Sequence, residues 1–177
     1  MFNSADSESL IVIAVAALLG AVLGIEREIA KKPAGVRTHI LVCAGSALMM
    51  VLGQAIVDQF QAREPAEVIK ADPIRVLQAI VVGISFLGAG TIIHDRDEVE
   101  GLTTAATVYL TAGIGVAVAV GRIPLAVLIT IAAVVVLSLV GWLESLFESL
   151  QEKQDRRSDQ SPKTPSEDSD PPAADRM

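Results

Sequence analysis

The chain has 177 residues, 51% of them hydrophobic and only 3% aromatic, with a formal net charge of −7. A mean hydropathy of +0.52 is too high for a soluble domain of this length, and the apolar residues fall in runs long enough to cross a bilayer. The acidic balance excludes nucleic acid as an expected partner, because phosphate binding needs a basic surface. The single cysteine, Cys43, excludes an intrachain disulfide and a cysteine-based zinc site.

Residues 1–9 carry Asp6 and Glu8 but no Lys or Arg, so the basic region of a secretory signal is missing and the first apolar run is expected to be a retained helix. That run, Leu10 to Ile25, continues through Glu26, Arg27 and Glu28 into the headgroup zone, giving a first span over 10–28. Pro33 and Gly35 make a turn. A second span covers 38–57 and contains His39, Cys43, Ser46 and Gln54. Asp58 to Pro73 is polar, a loop or a short surface helix. A third span covers 74–93, and His94 to Glu100 is a solvated connection. A fourth span covers 102–120, where Thr103 or Thr104 is placed to cap the first turn. Gly121 to Pro124 is a tight turn with Pro124 suited to a helix start, and a fifth span covers 124–141. Residues 142–150 place Leu143, Leu146, Phe147 and Leu150 at helical spacing beside Glu144 and Glu148, an amphipathic extension with Trp142 as interfacial anchor. The tail 151–177 holds four prolines and many charges and is expected to be disordered. The fold class is therefore all-α: a polytopic membrane bundle of about five transmembrane helices.

Small residues recur at helix-packing spacing. Gly20 and Gly24 form a G-x-x-x-G pair, Gly113, Ala117 and Gly121 form a small-residue stripe, and Gly83, Gly88 and Gly90 thin the third span. Such residues let helix backbones approach closely in lipid, where no hydrophobic drive brings them together. Ordinary bundle packing is the reading preferred over a substrate path, and the stripes also suit a homodimer.

Two polar features stand out. Glu26, Arg27, Glu28 and Arg37, with His39 nearby, cluster around the first turn, where Arg37 is placed to pair with Glu26; topology-setting and a functional site are both open readings. Thr104, Thr107 and Thr111 share one helical face, and bonding to their own backbone is favoured over lining a cavity. The middle third of every span lacks Asp, Glu, Lys and Arg, which weakens direct Mg²⁺ transport, since Mg²⁺ demands oxygen ligands in number. Gly83-Ile84-Ser85-Phe86 resembles the nucleophile segment of a rhomboid-type protease, but no histidine base is evidently in reach. Neither a catalytic set nor a cofactor is expected. Arg27, Lys31, Lys32 and Arg37 in the first turn, and Lys153, Arg156 and Arg157 after the last span, place both in the cytoplasm and the N-terminus outside.

Leu19-Gly20 through Gly24-Ile25-Glu26-Arg27-Glu28, then Ala34 through His39, Gly83 through Gly90 and Gly101 through Thr107 occur in the order and spacing of the MgtC/SapB membrane proteins. The resemblance spans about Leu10 to Gly141. It implies a multi-pass protein of the bacterial cytoplasmic (inner) membrane, linked in some members to growth at low magnesium and to survival inside host cells. The best-known members resemble regulators of other membrane proteins, the F-type ATP synthase among them. The chain looks like a short SapB-type member, without the folded domain that follows the last span of MgtC proper and with Thr103 where MgtC proper tends to have Asn. By this resemblance Glu26, Arg27, Arg37, Thr103 and Thr104 form a polar junction between helices 1, 2 and 4. The expected role is a non-enzymatic modulator of membrane or magnesium-linked ion physiology, with a Mg²⁺ or small-solute transporter or channel as the alternative.

Overall fold

The computed structural model describes residues 4–63, 73–95 and 98–159. They form five helices and one short hairpin: α1 (Ser4–Ile29), α2 (Val36–Arg63), α3 (Pro73–Ala89), β1 (Ile93–Asp95), β2 (Glu98–Glu100), α4 (Leu102–Ala119) and α5 (Ile123–Asp159). The chain divides into two units, Met1–Val140 and Gly141–Met177. The bundle lies in the first.

The helix ends follow from local chemistry. α1 stops in a left-handed C-cap at Lys31, with Lys32 N–H donating to the Arg27 carbonyl and Lys31 N–H to that of Glu28. Pro33 then forbids continuation. α2 starts where Glu28 reaches across the turn and accepts from Val36 N–H at 2.9 Å. α4 ends in the same motif as α1, with Gly121 as the left-handed residue and Arg122 N–H on the Ala117 carbonyl. α5 begins at Ile123 with Pro124 in its first turn.

Several boundaries move relative to the sequence reading. α1 begins at Ser4, inside the segment expected to precede the first span, and α2 runs on to Arg63. α3 ends at Ala89, and the solvated connection is an antiparallel hairpin pairing Ile93 with Glu100. Neither Thr103 nor Thr104 caps α4: its N-cap is Gly101, left-handed and without a side-chain bond. α5 reaches Asp159, nine residues (159 − 150) into the segment expected to be disordered. Gln, Glu, Lys and Arg there are good helix formers, and the first proline is Pro162. The rest of that tail, 160–177, lies outside the described residues.

Among the described residues, four helices are long and apolar enough to cross a bilayer: Ala5–Ile29, Val36–Phe60, Leu102–Ala119 and Ile123–Leu143. α3, at 17 residues, spans only about 25 Å. It nonetheless connects the two ends of the bundle. Near its start Val76 packs on Gly53 of α2, and at its end Gly88 meets Ala105 of α4. The α1–α2 turn, the hairpin and the start of α4 therefore share one end, called here the near end.

The tight core is a three-helix unit of α1, α2 and α4. Cys43 and Ala47 of α2 pack with Ala16 of α1 and with Ile114 and Val118 of α4, and Ala126 of α5 completes the cluster. A Cβ on Gly20 would stand 2.5 Å from the His39 carbonyl oxygen, and one on Gly24 2.6 Å from Val36 Cα, so α1 and α2 touch backbone to backbone there. Gly115 does the same for α4, against the Cys43 carbonyl. The remaining small residues divide differently from their sequence pattern. Added Cβ atoms on Gly83, Gly113 and Gly121 would meet nothing within 4 Å, so none of the three lies in a helix seam of this chain. Gly88 makes ordinary contact with Ala105, and Gly90 faces the carbonyls of its own helix end. Gly113 lies about 200° around α4 from Gly115, which turns it outward.

Candidate functional site

The near end gathers the polar groups of the bundle. In the last turn of α1, Arg27 is buried, 3% exposed, and grips its neighbour Glu26 (12%) with two hydrogen bonds, Nε to Oε2 at 2.5 Å and Nη2 to Oε1 at 2.7 Å. A charge enclosed this way is tolerated because the pair compensates itself. His39, on the first turns of α2, is 0% exposed. Its Nδ1 meets the Gly35 carbonyl at 2.9 Å, and the charges of Arg27 and Glu26 both act on the ring. Its Nε2 is buried and has no hydrogen-bond partner among the described residues.

The expected Arg37–Glu26 pair does not form. Glu26 is held by Arg27 and Glu28 by the Val36 amide. Arg37 is exposed and makes no ion pair among the described residues. Helical phase is the reason: Arg37 and His39 are two residues apart, about 200° around the helix, so only one of them can face inward.

On α4 the threonine face is turned inward. Thr104, Thr107 and Thr111 are all buried. The Thr107 hydroxyl donates to the Thr104 carbonyl at 2.9 Å, and that of Thr111 to the Thr107 carbonyl at 2.7 Å. Thr103 is exposed. Thr103 and Thr104 both wall a cavity of about 460 Å³ at the near end, together with Lys32 and Pro33 of the α1–α2 turn, Thr91, Glu100 and Gly101. The structure thus brings the first turn and the start of α4 to one place, while Arg37 stays outside it. Glu28 and His39, placed by sequence in the charged cluster of the first turn, and Lys32, read there only for orientation, join this end although none was among the five junction residues; Glu28 caps α2. For His39 the signal was available, an imidazole on the same helical face as Cys43 and Ser46.

A second cavity, about 500 Å³ and apolar, separates α2 from α3 and is walled by Val42, Gly45 and Met49 on one side and Ile80, Gly83 and Leu87 on the other. A third, about 360 Å³, lies between α4 and α5. Ser85, the candidate nucleophile, donates to the Val81 carbonyl of its own helix at 2.7 Å.

Residues 13–146 match the MgtC family. Among similar proteins, one of Escherichia coli named "Putative magnesium transporter YhiD" is 33% identical over 133 residues, 75% of this chain and 60% of its own length. SapB of Bacillus subtilis is 33% identical over 117 residues, 66% of this chain and 49% of SapB. MgtC of Brucella abortus is 35% identical over 136 residues, 77% of this chain and 52% of MgtC. The chain spans about half to three-fifths of the length of these relatives, and since SapB extends as far beyond the match as MgtC does, the span does not separate the two branches. No solved structure matches. With the match running from α1 into α5, over four helices long and apolar enough to cross a bilayer, the chain belongs to the MgtC family of multi-pass membrane proteins.

Proposed function

We propose that this chain is a non-enzymatic modulator of other membrane proteins or of magnesium-linked ion physiology. It resides in the bacterial cytoplasmic membrane with the near end facing the cytoplasm and the N-terminus outside. The observation that carries the reading is the contrast between a locked core and an α3 that stands off α2 across an open apolar cleft. The polar groups of the core are largely spent on one another: Arg27 on Glu26, and the Thr107, Thr111 and Ser46 hydroxyls on carbonyls of their own helices. α3 instead leaves a cleft against α2, with Gly45 and Gly83 facing open space and Phe86 83% exposed. Small residues bordering an open apolar cleft suit the close approach of a further transmembrane helix, from another protein or from a second copy. Arg27, Lys31, Lys32 and Arg37 at the near end support the cytoplasmic assignment.

The second reading, a Mg²⁺ or small-solute transporter, is favoured by the name of the Escherichia coli relative. Two measurements separate them. Crosslinking with a photoreactive group at Phe86, followed by pulldown from native membranes, is expected to capture a defined membrane protein. Tracer uptake into liposomes holding only this chain is expected to stay at the level of empty vesicles. Robust Mg²⁺ flux without added partner would overturn the modulator reading.

A further inference from the structure

We propose that His39 is a proton-operated latch on the α1–α2 seam: a second proton, taken on Nε2, upsets the charge balance of the near end and frees α1 from α2. Three observations meet at this side chain. The first is its place. His39 is the fourth residue of α2 and is fully buried. It stands between the two glycine notches of α1, since a Cβ on Gly20 would strike the His39 carbonyl and one on Gly24 would come within 3.1 Å of His39 Cβ. Packing there leaves no slack, so a change of charge on the ring bears directly on the seam. From the start of α2 to His39 is about 5 Å along the helix axis, so the route of a proton from the near end is short.

The second observation is the hydrogen bonding of the ring. A carbonyl only accepts, so in the 2.9 Å contact with Gly35 it is Nδ1 that carries the hydrogen. Nε2 of the neutral ring is then a bare lone pair. Among the described residues it is the buried side-chain nitrogen or oxygen left without a hydrogen-bond partner. Buried polar groups are almost always satisfied, so one that is left open points to a second state in which it is used. For an imidazole lone pair that state is the imidazolium, with Nε2 as a donor.

The third observation is the charge around it. From α1, Glu26 and Arg27 both act on the ring, and they are paired with each other. On α2 itself Cys43 lies buried one turn on, and Arg37 is exposed. α4 turns the Thr107 and Thr111 hydroxyls inward, and its single titratable side chain, Tyr109, is half exposed. The charge of α3 is Arg75, exposed at the start of that helix, and α5 has no ionisable residue between Ile123 and Val140. His94, Glu98 and Glu100 of the hairpin are exposed. The enclosed set is thus neutral while the ring is neutral and carries one net positive charge once the ring is an imidazolium. An unbalanced charge enclosed in this way is not tolerated. Glu26 must then be divided between two cations, or α1 must part from α2 and admit water. Either change loosens the Glu26–Arg27 lock, whether the protein modulates or transports.

The test uses the purified full chain in detergent. Cys43, the single cysteine, is buried in the seam one turn from His39 and reports its opening. Its labelling by dithiodipyridine, a disulfide that reacts in acid as well as at neutral pH, is timed from about pH 8 to about pH 5, the range in which an imidazole ordinarily titrates. Each rate is divided by that of the SDS-unfolded chain at the same pH. Protonation of His39 is followed in parallel by ¹⁵N NMR of His94→Asn, which leaves one histidine in the chain. Below the midpoint of that titration, labelling is expected to accelerate by up to about tenfold per pH unit, the slope of one proton, in wild type and His94→Asn alike. His39→Asn, whose amide can take the place of Nδ1 toward Gly35 but binds no proton, is expected to label at one rate across the range. A purely structural histidine would instead give a change in rate that is the same at every pH. A ring that stays neutral to the acid limit, an imidazolium that forms without faster labelling, or a wild-type pH response in His39→Asn would overturn the proposal. Should His39→Asn fail to fold, the coincidence of the labelling and NMR curves in His94→Asn still decides, and curves that part would overturn it.

Discussion

Placing alanine at Gly20 and at Gly113 perturbs two glycines that look alike in sequence and differ in the bundle. At Gly20 the new Cβ would lie 2.5 Å from the His39 carbonyl oxygen, 2.8 Å from Cys43 Cβ and 3.0 Å from the His39 carbonyl carbon, where ordinary contact starts at 3.4 Å. The deficit against the closest atom is 3.4 − 2.5 = 0.9 Å. Two of the three obstacles are backbone and the third is a fully buried side chain, so no rotamer can yield and α1 must move away from α2. A gap of 0.5–1 Å forfeits roughly a quarter to a half of each contact along the seam. Overpacking of this kind costs about 1–3 kcal/mol. At Gly113 the Cβ meets nothing, so Gly113→Ala is expected to be neutral or to gain up to about 1 kcal/mol of helix propensity. The two variants should therefore differ by about 1–4 kcal/mol in reversible SDS unfolding from mixed micelles, followed by far-UV circular dichroism. Equal stability of Gly20→Ala and Gly113→Ala would refute the assignment of the seam.

Three further outcomes are expected. Arg27→Met, which strands the Glu26 carboxylate in a buried setting, should cost about 3–5 kcal/mol, while Glu26→Leu combined with Arg27→Met should recover much of that loss; an additive double-mutant cycle would show that the pair is not a unit. Gly101→Ala must bear both a φ of 86° and a collision with Thr91, whereas Gly121→Ala bears only a φ of 76° with open space around it, so thermal denaturation should show Gly121→Ala losing about 1–2 kcal/mol and Gly101→Ala clearly more. Lys31→Gly relieves a left-handed lysine at the end of α1 and should raise stability by about 1 kcal/mol on the same denaturation scale, less the entropy glycine adds to the unfolded chain.

The spans were legible because lipid imposes a minimum apolar length, and Leu10 to Ile25 or Leu125 to Gly141 can satisfy it in one way only. Which small residues form seams was not legible from spacing alone, because Gly20–Gly24 and Gly113–Ala117–Gly121 share one pattern and only helical phase separates them. That phase was recoverable on α4. Buried hydroxyls must face inward, and the series Thr104, Thr107, Thr111 continues at four-residue spacing to Gly115, the glycine that packs on Cys43. The same reasoning on α2 selects His39 over Arg37 as the inward residue. The ends of helices were the least legible, because they depend on contacts made across turns. Glu28 capping Val36 and Gly101 packed on Thr91 both join residues at least eight positions apart.

The unequal packing of the helices also decides where the bundle can change shape. α1, α2 and α4 meet through glycine notches at Gly20, Gly24 and Gly115, and separating them would forfeit the close backbone packing that holds helices together in lipid. The Glu26–Arg27 pair and His39 lie inside this part, so the polar centre is held by the least deformable contacts in the chain. α3 touches the core through Val76 on Gly53, Gly88 beside Ala105 and Ile84 on the cluster of Val42, Val108 and Ala112, and leaves an apolar cleft against α2. The last residues of α3 lead into the segment that carries Thr91 against Gly101. Motion of α3 would thus reach the first turn of α4, and with it Thr104 and the near-end cavity, while the charged pair stays fixed.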